Sequence, residues 1–201
     1  MYNWIGDFMR TIKNNTINEI IIKNSRFICL LIKINSVDIN NILDKIKSDY
    51  PKATHYCYAY LYNDIQRFND DGEPGGTAGM PMLNVLLKEE LSNVLCVVIR
   101  YFGGIKLGAG GLVRAYTKSV TECLKVTDLM DLEEGYKVRL KFNYNDEKQV
   151  KYLLKDSTVL NEKYDLDVEY LVLVNNDVLD NLKNYKYEII EKTYIEKSSI
   201  N

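Results

Sequence analysis

The residues able to do chemistry in this chain of 201 residues crowd into two short stretches. The first, "DDGEPGGTAGMP" (70–81), sets the carboxylates Asp70, Asp71 and Glu73 beside Gly72, Gly75, Gly76, Thr77 and Gly79. The second, "RYFGGIKLGAGGLVRAYTKSV" (100–120), places Arg100, Lys106, Arg114 and Lys118 among Gly103, Gly104, Gly108, Gly110 and Gly111. Of 11 glycines, only Gly6 and Gly135 lie elsewhere. A strand that runs into a glycine loop and then a helix presents unpaired N–H groups and the positive end of a dipole. A Cβ there would block close approach and forbid positive φ. The chemistry expected is anion binding: a nucleotide phosphate, a nucleic-acid backbone or an acidic partner, with Arg100, Lys106 and Arg114 adding formal charge. The competing reading is tight turns and close helix–sheet packing, which would explain two or three of these nine glycines.

Known phosphate motifs do not fit. Gly103-x4-Gly108 is followed by Ala109 where a Walker A loop needs Lys, and Gly108-Ala109-Gly110 reaches Val113 where a dinucleotide fingerprint needs Gly. Asp70, Asp71 and Glu73 could hold a divalent cation, but the EF-hand pattern is absent and acidic turn residues commonly cap backbone. Thr77 precedes an expected helix and reads as its N-cap. His55, the one histidine, shares a strand face with Cys57, and i, i+2 neighbours project in parallel, a poor arrangement for a Cys–His nucleophile. His55 then reads as an edge-of-core residue or as a side chain facing the glycine loops. No hydrolase or metalloprotease signature occurs. No cofactor is expected, and nothing in the sequence compels an enzyme.

Composition narrows the classes. Apolar content of 46% and charged content of 27% suit a globular protein. A net charge of −2 argues against a generally basic nucleic-acid binder. Residues 1–130 carry 15 Lys/Arg against 13 Asp/Glu, and residues 131–201 carry 11 against 15, which hints at two units. The cysteines (Cys29, Cys57, Cys96, Cys123) lie singly in apolar runs, as in a reducing compartment. The start has no signal-peptide pattern and no stretch reaches the ~18 apolar residues of a membrane span, so a cytoplasmic location without membrane association is expected.

These stretches need strands and helices to position them. Residues 1–15 precede the first clear pattern and read as a leader. Residues 16–34 read as two strands with a turn at Lys23-Asn24-Ser25. Ser36 reads as the N-cap of a helix ending before Pro51. The 53–62 strand turns His55, Cys57, Ala59 and Leu61 to one face and Tyr56, Tyr58 and Tyr60 to the other, where they could stack bases. Residues 82–91 look helical, 93–102 form a strand buried on both faces, and Leu112, Tyr116, Val120 and Leu124 mark a helix with Arg114 and Lys118 on another face. Charged "DLMDLEEG" (128–135) is the expected domain boundary, dividing 16–130 from 131–201. Beyond it the order βαββαβ is that of ferredoxin-like domains.

The motifs "IIIKNSRFI" (20–28), "ATHYCYAY" (53–60), "DDGEPGGTAGMPML" (70–83) and "VVIRYFGGIKLGAGGLVRAY" (97–116) resemble those of the YigZ/IMPACT family. The resemblance implies an α+β protein: an N-terminal domain like domain 2 of ribosomal protein S5, followed by a C-terminal ferredoxin-like domain. Both shapes are similar to late domains of the ribosomal translocase elongation factor. Bacterial members have no settled activity. Eukaryotic IMPACT relatives restrain a kinase of initiation factor 2, chiefly through an added RWD domain whose pattern is not found in these residues, so that mechanism is not expected to carry over. The shared residues map onto Arg26, His55, Cys57, Asp70, Asp71, Glu73, Arg100, Lys106 and Arg114, without assigned roles.

The leading expectation is therefore a translation-linked regulator or binding module for RNA, the ribosome or another anionic surface. Its alternatives are a metal-assisted enzyme acting on a small phosphorylated substrate, with Asp70, Asp71 and Glu73 as its acids and His55 as auxiliary, and a protein–protein adaptor of the translation machinery.

Overall fold

The computed structural model describes residues 9–197, which divide into two compact units, Met9–Met130 and the residues from Asp131 onward. In the first unit a five-stranded sheet runs in the order β2-β3-β6-β4-β5. β2 (Thr16–Ile22) and β3 (Ser25–Lys33) form a hairpin whose turn residues Lys23 and Asn24 both have positive φ, as a two-residue hairpin turn requires. β6 (Val94–Tyr101) lies in the centre, antiparallel to β3 and to β4 (His55–Tyr62). It is apolar on both faces because both are covered. Val94, Cys96 and Val98 pack with α2 (Gly79–Lys88) and α3 (Ala109–Leu124), while Leu95, Val97 and Ile99 face α1 (Asn40–Asp49). The edge strand β5 (Ile65–Asn69) is exposed throughout, so no apolar period marks it in the sequence.

Three features depart from the sequence reading. Of the 1–15 leader, residues 1–8 lie outside the described residues, and Met9–Ile12 form a strand, β1, because Arg10 pairs with the 90–92 backbone and Ile12 is fully buried. The first helix begins at Asn40 rather than after Ser36. Tyr60 is buried in the core that α1 covers and Tyr56 and Tyr58 pack half-buried against it, so the three do not form an open stacking face. The division between the two units falls at Met130 and Asp131, inside the charged 128–135 stretch. From Leu129 onward that stretch lies in β7 (Leu129–Phe142), where Glu134 pairs with Lys192 of β10 (Lys186–Glu196) at 2.6 Å.

The second unit follows the order β7, α4 (Glu147–Leu153), β8 (Thr158–Tyr164), β9 (Val168–Asn175), α5 (Asn176–Asn181), β10. β7 pairs with β9 and with β10, β9 pairs with β8, and every pairing is antiparallel. Val138, Leu140, Val150, Tyr170, Val172 and Leu182 form its core. No helix among the described residues is long and apolar enough to cross a membrane.

Candidate functional site

The sheet register brings the two glycine-rich stretches together. On β4, His55 is the Cα partner of Arg100 on β6, which in turn pairs with Phe27 on β3. Alternation puts all three on the α2/α3 side of the sheet. Arg100 lies buried between Phe27 and Phe102, its guanidinium carbon 5.4 and 5.5 Å from their ring centroids. Its Nη1 donates to Glu73 Oε1 at 2.5 Å, and Tyr116 Oη donates to the same oxygen at 2.9 Å. Both members of the ion pair are nearly withdrawn from water, with side-chain exposures of 6% and 3%. Arg100 Nε is buried with no acceptor among the described residues.

Glu73 Oε2 faces His55 Nε2 at 3.8 Å. The His55 Nδ1 lies 2.8 Å from the Asp71 carbonyl. A carbonyl only accepts, so Nδ1 carries the hydrogen. Cys57 Sγ lies 3.3 Å from Tyr116 Oη and 3.0 Å from the Asp70 carbonyl. Burial pushes the Cys57 thiol up to about 12 and the Tyr116 hydroxyl higher still, so neither is a ready nucleophile.

The other two acids are engaged by backbone. The Asp70 carboxylate accepts from the N–H groups of Gly76, Ala78 and Gly79 at 2.9, 3.0 and 2.8 Å, closing the 70–79 loop and capping α2. Asp71 accepts from Tyr56 N–H at 2.6 Å. These oxygens cap backbone, as acidic turn residues commonly do, and no cluster of His, Cys, Asp and Glu able to hold a metal occurs among the described residues. Thr77 is not the α2 cap either. Its hydroxyl donates to Pro74 O at 2.7 Å, and Asp70 takes the capping role.

The second stretch forms the opposite wall. Gly103 abuts the β2–β3 turn so closely that a Cβ would sit 2.1 Å from the Asn24 carbonyl carbon. Gly108, with φ of 71°, precedes α3, and no side chain caps that helix. Leu112 N–H begins the intrahelical ladder on Gly108 O, which leaves the amides of Ala109, Gly110 and Gly111 without an acceptor among the described residues. Apolar residues Leu112, Ala115, Tyr116, Val120 and Cys123 recur at helical spacing and seat α3 on the sheet, and Gly108, Ala109 and Leu112 at its start line the same cleft as Arg100.

Positive φ occurs at Gly72, Gly76, Gly104 and Gly108, and Gly79 and Gly103 meet backbone at 2.9 and 2.1 Å, so turns and packing explain six of the nine glycines rather than two or three. Of the other three, a Cβ on Gly111 would press on the Leu107 side chain at 3.0 Å, one on Gly75 would meet nothing within 4 Å, and one on Gly110 only the Arg114 Nη1 at 3.5 Å.

The result is a cleft of about 360 Å³ lined by His55, Glu73, Arg100, Phe102, Lys106 and the start of α3. Arg100 and Glu73 form its buried floor, while Phe102 (46% exposed), Lys106 and Gly108 stand at its rim. Arg114 is exposed and reaches back toward Gly110, over the first turn. Lys118 stands a turn further along α3 and does not line the cleft. Sequence reasoning missed Tyr116 and Phe102. Tyr116 was legible only as a polar tip on the apolar face of α3, and Phe102 as an aromatic between Arg100 and a glycine pair.

Comparisons with known proteins follow the same residues. A family model described as the Impact N-terminal domain matches residues 23–124. The chain is 40% identical over 209 residues to the IMPACT family member YvyE of Bacillus subtilis (strain 168), covering 94% of each. It is 38% identical over 162 residues to an IMPACT family member of Haemophilus influenzae, covering 78% of this chain and 75% of that one. The crystal structure of a hypothetical protein is similar with a TM-score of 0.68 at 27% identity, over 96% of this chain and 100% of the other.

Proposed function

This chain belongs to the IMPACT family, and on that premise we propose that it is a translation-linked regulatory binding protein that engages an anionic surface, RNA or the ribosome, through its two glycine-rich loops. The observation that supports this most is the open start of α3, where three successive amides have no acceptor among the described residues and the first of them, on Ala109, lines a cleft floored by Arg100 and rimmed by Lys106. Amides and dipole give such a helix end an affinity for negative charge that needs no metal. Arg100, Gly103, Gly104, Lys106, Gly108, Gly110, Gly111 and Arg114 serve this site, while Asp70, Asp71, Gly76 and Thr77 hold its wall in place. His55 and Glu73 orient Arg100 from beneath.

The test is filter binding of single-stranded RNA at two salt concentrations. Affinity should fall with salt, with a slope of about −0.7 per phosphate neutralised. Replacing Lys106 and Arg114 together by Ala should flatten that slope by about one to two. Affinity indifferent to both salt and substitution refutes the proposal. The enzyme alternative loses its strongest motivation now that Asp70 and Asp71 are engaged by backbone.

The same reading extends to fold names. We infer that the second unit is ferredoxin-like, since its βαββαβ order and antiparallel sheet β10-β7-β9-β8 are those of a split βαβ domain. The first unit is assigned, on the family resemblance, to the shape of domain 2 of ribosomal protein S5.

A further inference from the structure

Resting on that anion-binding reading, we propose that the cleft is built for a phosphate monoester, the terminal phosphate of a nucleotide or of a 5′-phosphorylated RNA, rather than for a run of phosphodiester backbone.

Size is the first argument. Single-strand tracks hold roughly 4–16 nucleotides per module along an extended groove. A cleft of about 360 Å³ sits near the lower end of the roughly 300–1,000 Å³ of small-molecule sites. It accommodates one phosphate with the sugar or base next to it.

Depth is the second. The floor group Arg100 is 6% exposed in its side chain and still carries an Nε with no acceptor among the described residues. An internal phosphodiester has a sugar on each side and cannot descend to that floor. A terminal phosphate has one substituent and can.

Donor count is the third. Donors converge from separate directions: Arg100 from below, the Ala109 amide from the helix end, and Lys106 from the rim. A monoester offers three acceptor oxygens and a charge of about −1.5 to −2 at neutral pH, so each direction finds its own oxygen; a diester has only two free oxygens. The charge also matches. Glu73 offsets Arg100, while Lys106, Arg114 and about half a charge from the helix end remain. Glu73 itself is engaged by Arg100 and Tyr116 on Oε1 and faces His55 on Oε2. Gly110, whose lack of a Cβ serves neither φ nor packing, lets the phosphate lie against the helix end. Phe102 at the rim offers a ring face for the attached base.

The experiment compares one short RNA bearing a 5′-phosphate with the same RNA bearing a 5′-hydroxyl, by fluorescence anisotropy on the full chain. Adenosine 5′-monophosphate serves as competitor. The phosphorylated end should bind at least tenfold more tightly. That preference should vanish in Lys106→Ala and in Ala109→Pro. Proline is tolerated at the first helical position and deletes a single N–H, so a melting curve matching the parent separates lost binding from lost fold.

Competition by the mononucleotide at the affinity of the RNA end assigns the site to a free nucleotide; weaker competition assigns it to the nucleic-acid terminus. Equal, salt-dependent binding of both RNAs overturns the monoester inference and leaves the anion-binding reading standing. Absence of binding by both RNAs and by the mononucleotide overturns the two together.

Discussion

His55 and Arg100 are register partners on adjacent strands, and both reach the carboxylate of Glu73, at 3.8 and 2.5 Å. A loop acid is thus drawn beneath the helix end by two residues of the sheet. The consequence is a guanidinium held at a fixed depth with one N–H, on Nε, still unpaired among the described residues.

Breaking that pair should be costly. Glu73→Gln leaves Arg100 charged and buried, and removing one partner of a buried ion pair costs about 3–5 kcal/mol. Urea denaturation should show a loss of that size for Glu73→Gln and for Arg100→Met alone. The double variant should lose less than the two single losses combined, because neither charge is then stranded. Strict additivity would show that the pair is not coupled.

Asp70 should behave as a cap and not as a metal ligand. Asp70→Ala removes a charged acceptor from three backbone amides and should cost about 2–3 kcal/mol. Added Mg²⁺ or Mn²⁺ should leave the melting temperature of the parent unchanged. A concentration-dependent rise, absent from Asp70→Ala, would restore the cation site.

The glycines separate by role. Gly103→Ala drives a Cβ into the Asn24 backbone and should cost about 1–3 kcal/mol or more. Gly110→Ala meets no such obstacle and should stabilise α3 by up to about 1 kcal/mol. It should at the same time weaken anion binding. A Gly110→Ala variant that is stabler and binds equally well would assign Gly110 no part in the site.

Alkaline pH should destabilise the first unit. Burial raises the Cys57 thiol to about 12 in the folded chain, while in the unfolded chain it titrates in the ordinary thiol range near 9. The unfolded state therefore loses its proton first. Stability is complete below about pH 9 and falls by up to about 1.4 kcal/mol per pH unit as pH rises toward 12. Cys57→Ser, compared with the parent by urea midpoints at pH 8 and pH 10, should lose less between the two. Equal losses would place the titration elsewhere.

Much of this arrangement could be read from residue types and spacing. The β4 alternation, the doubly buried β6 and the apolar stripe of α3 are strong periodic signals, and they carry His55, Arg100 and the glycine-rich helix start with them. The order of elements after Asp131 follows equally plainly from period and turn residues. What could not be read depends on contacts between distant segments. β5 has no buried face to imprint a pattern. β1 is held by backbone pairing with residues 90–92, which leaves no mark in sequence. "DDGE" offers three equivalent acids, and only the fold turns Asp70 and Asp71 onto backbone and Glu73 onto Arg100.

The most direct measurement follows the amides themselves. In a ¹⁵N-labelled sample titrated with adenosine 5′-monophosphate, the Ala109, Gly110 and Gly111 signals should shift downfield and saturate together, with Lys106→Ala weakening the response. If those three amides stay still while signals elsewhere move, negative charge is received at another place and the start of α3 is no anion site.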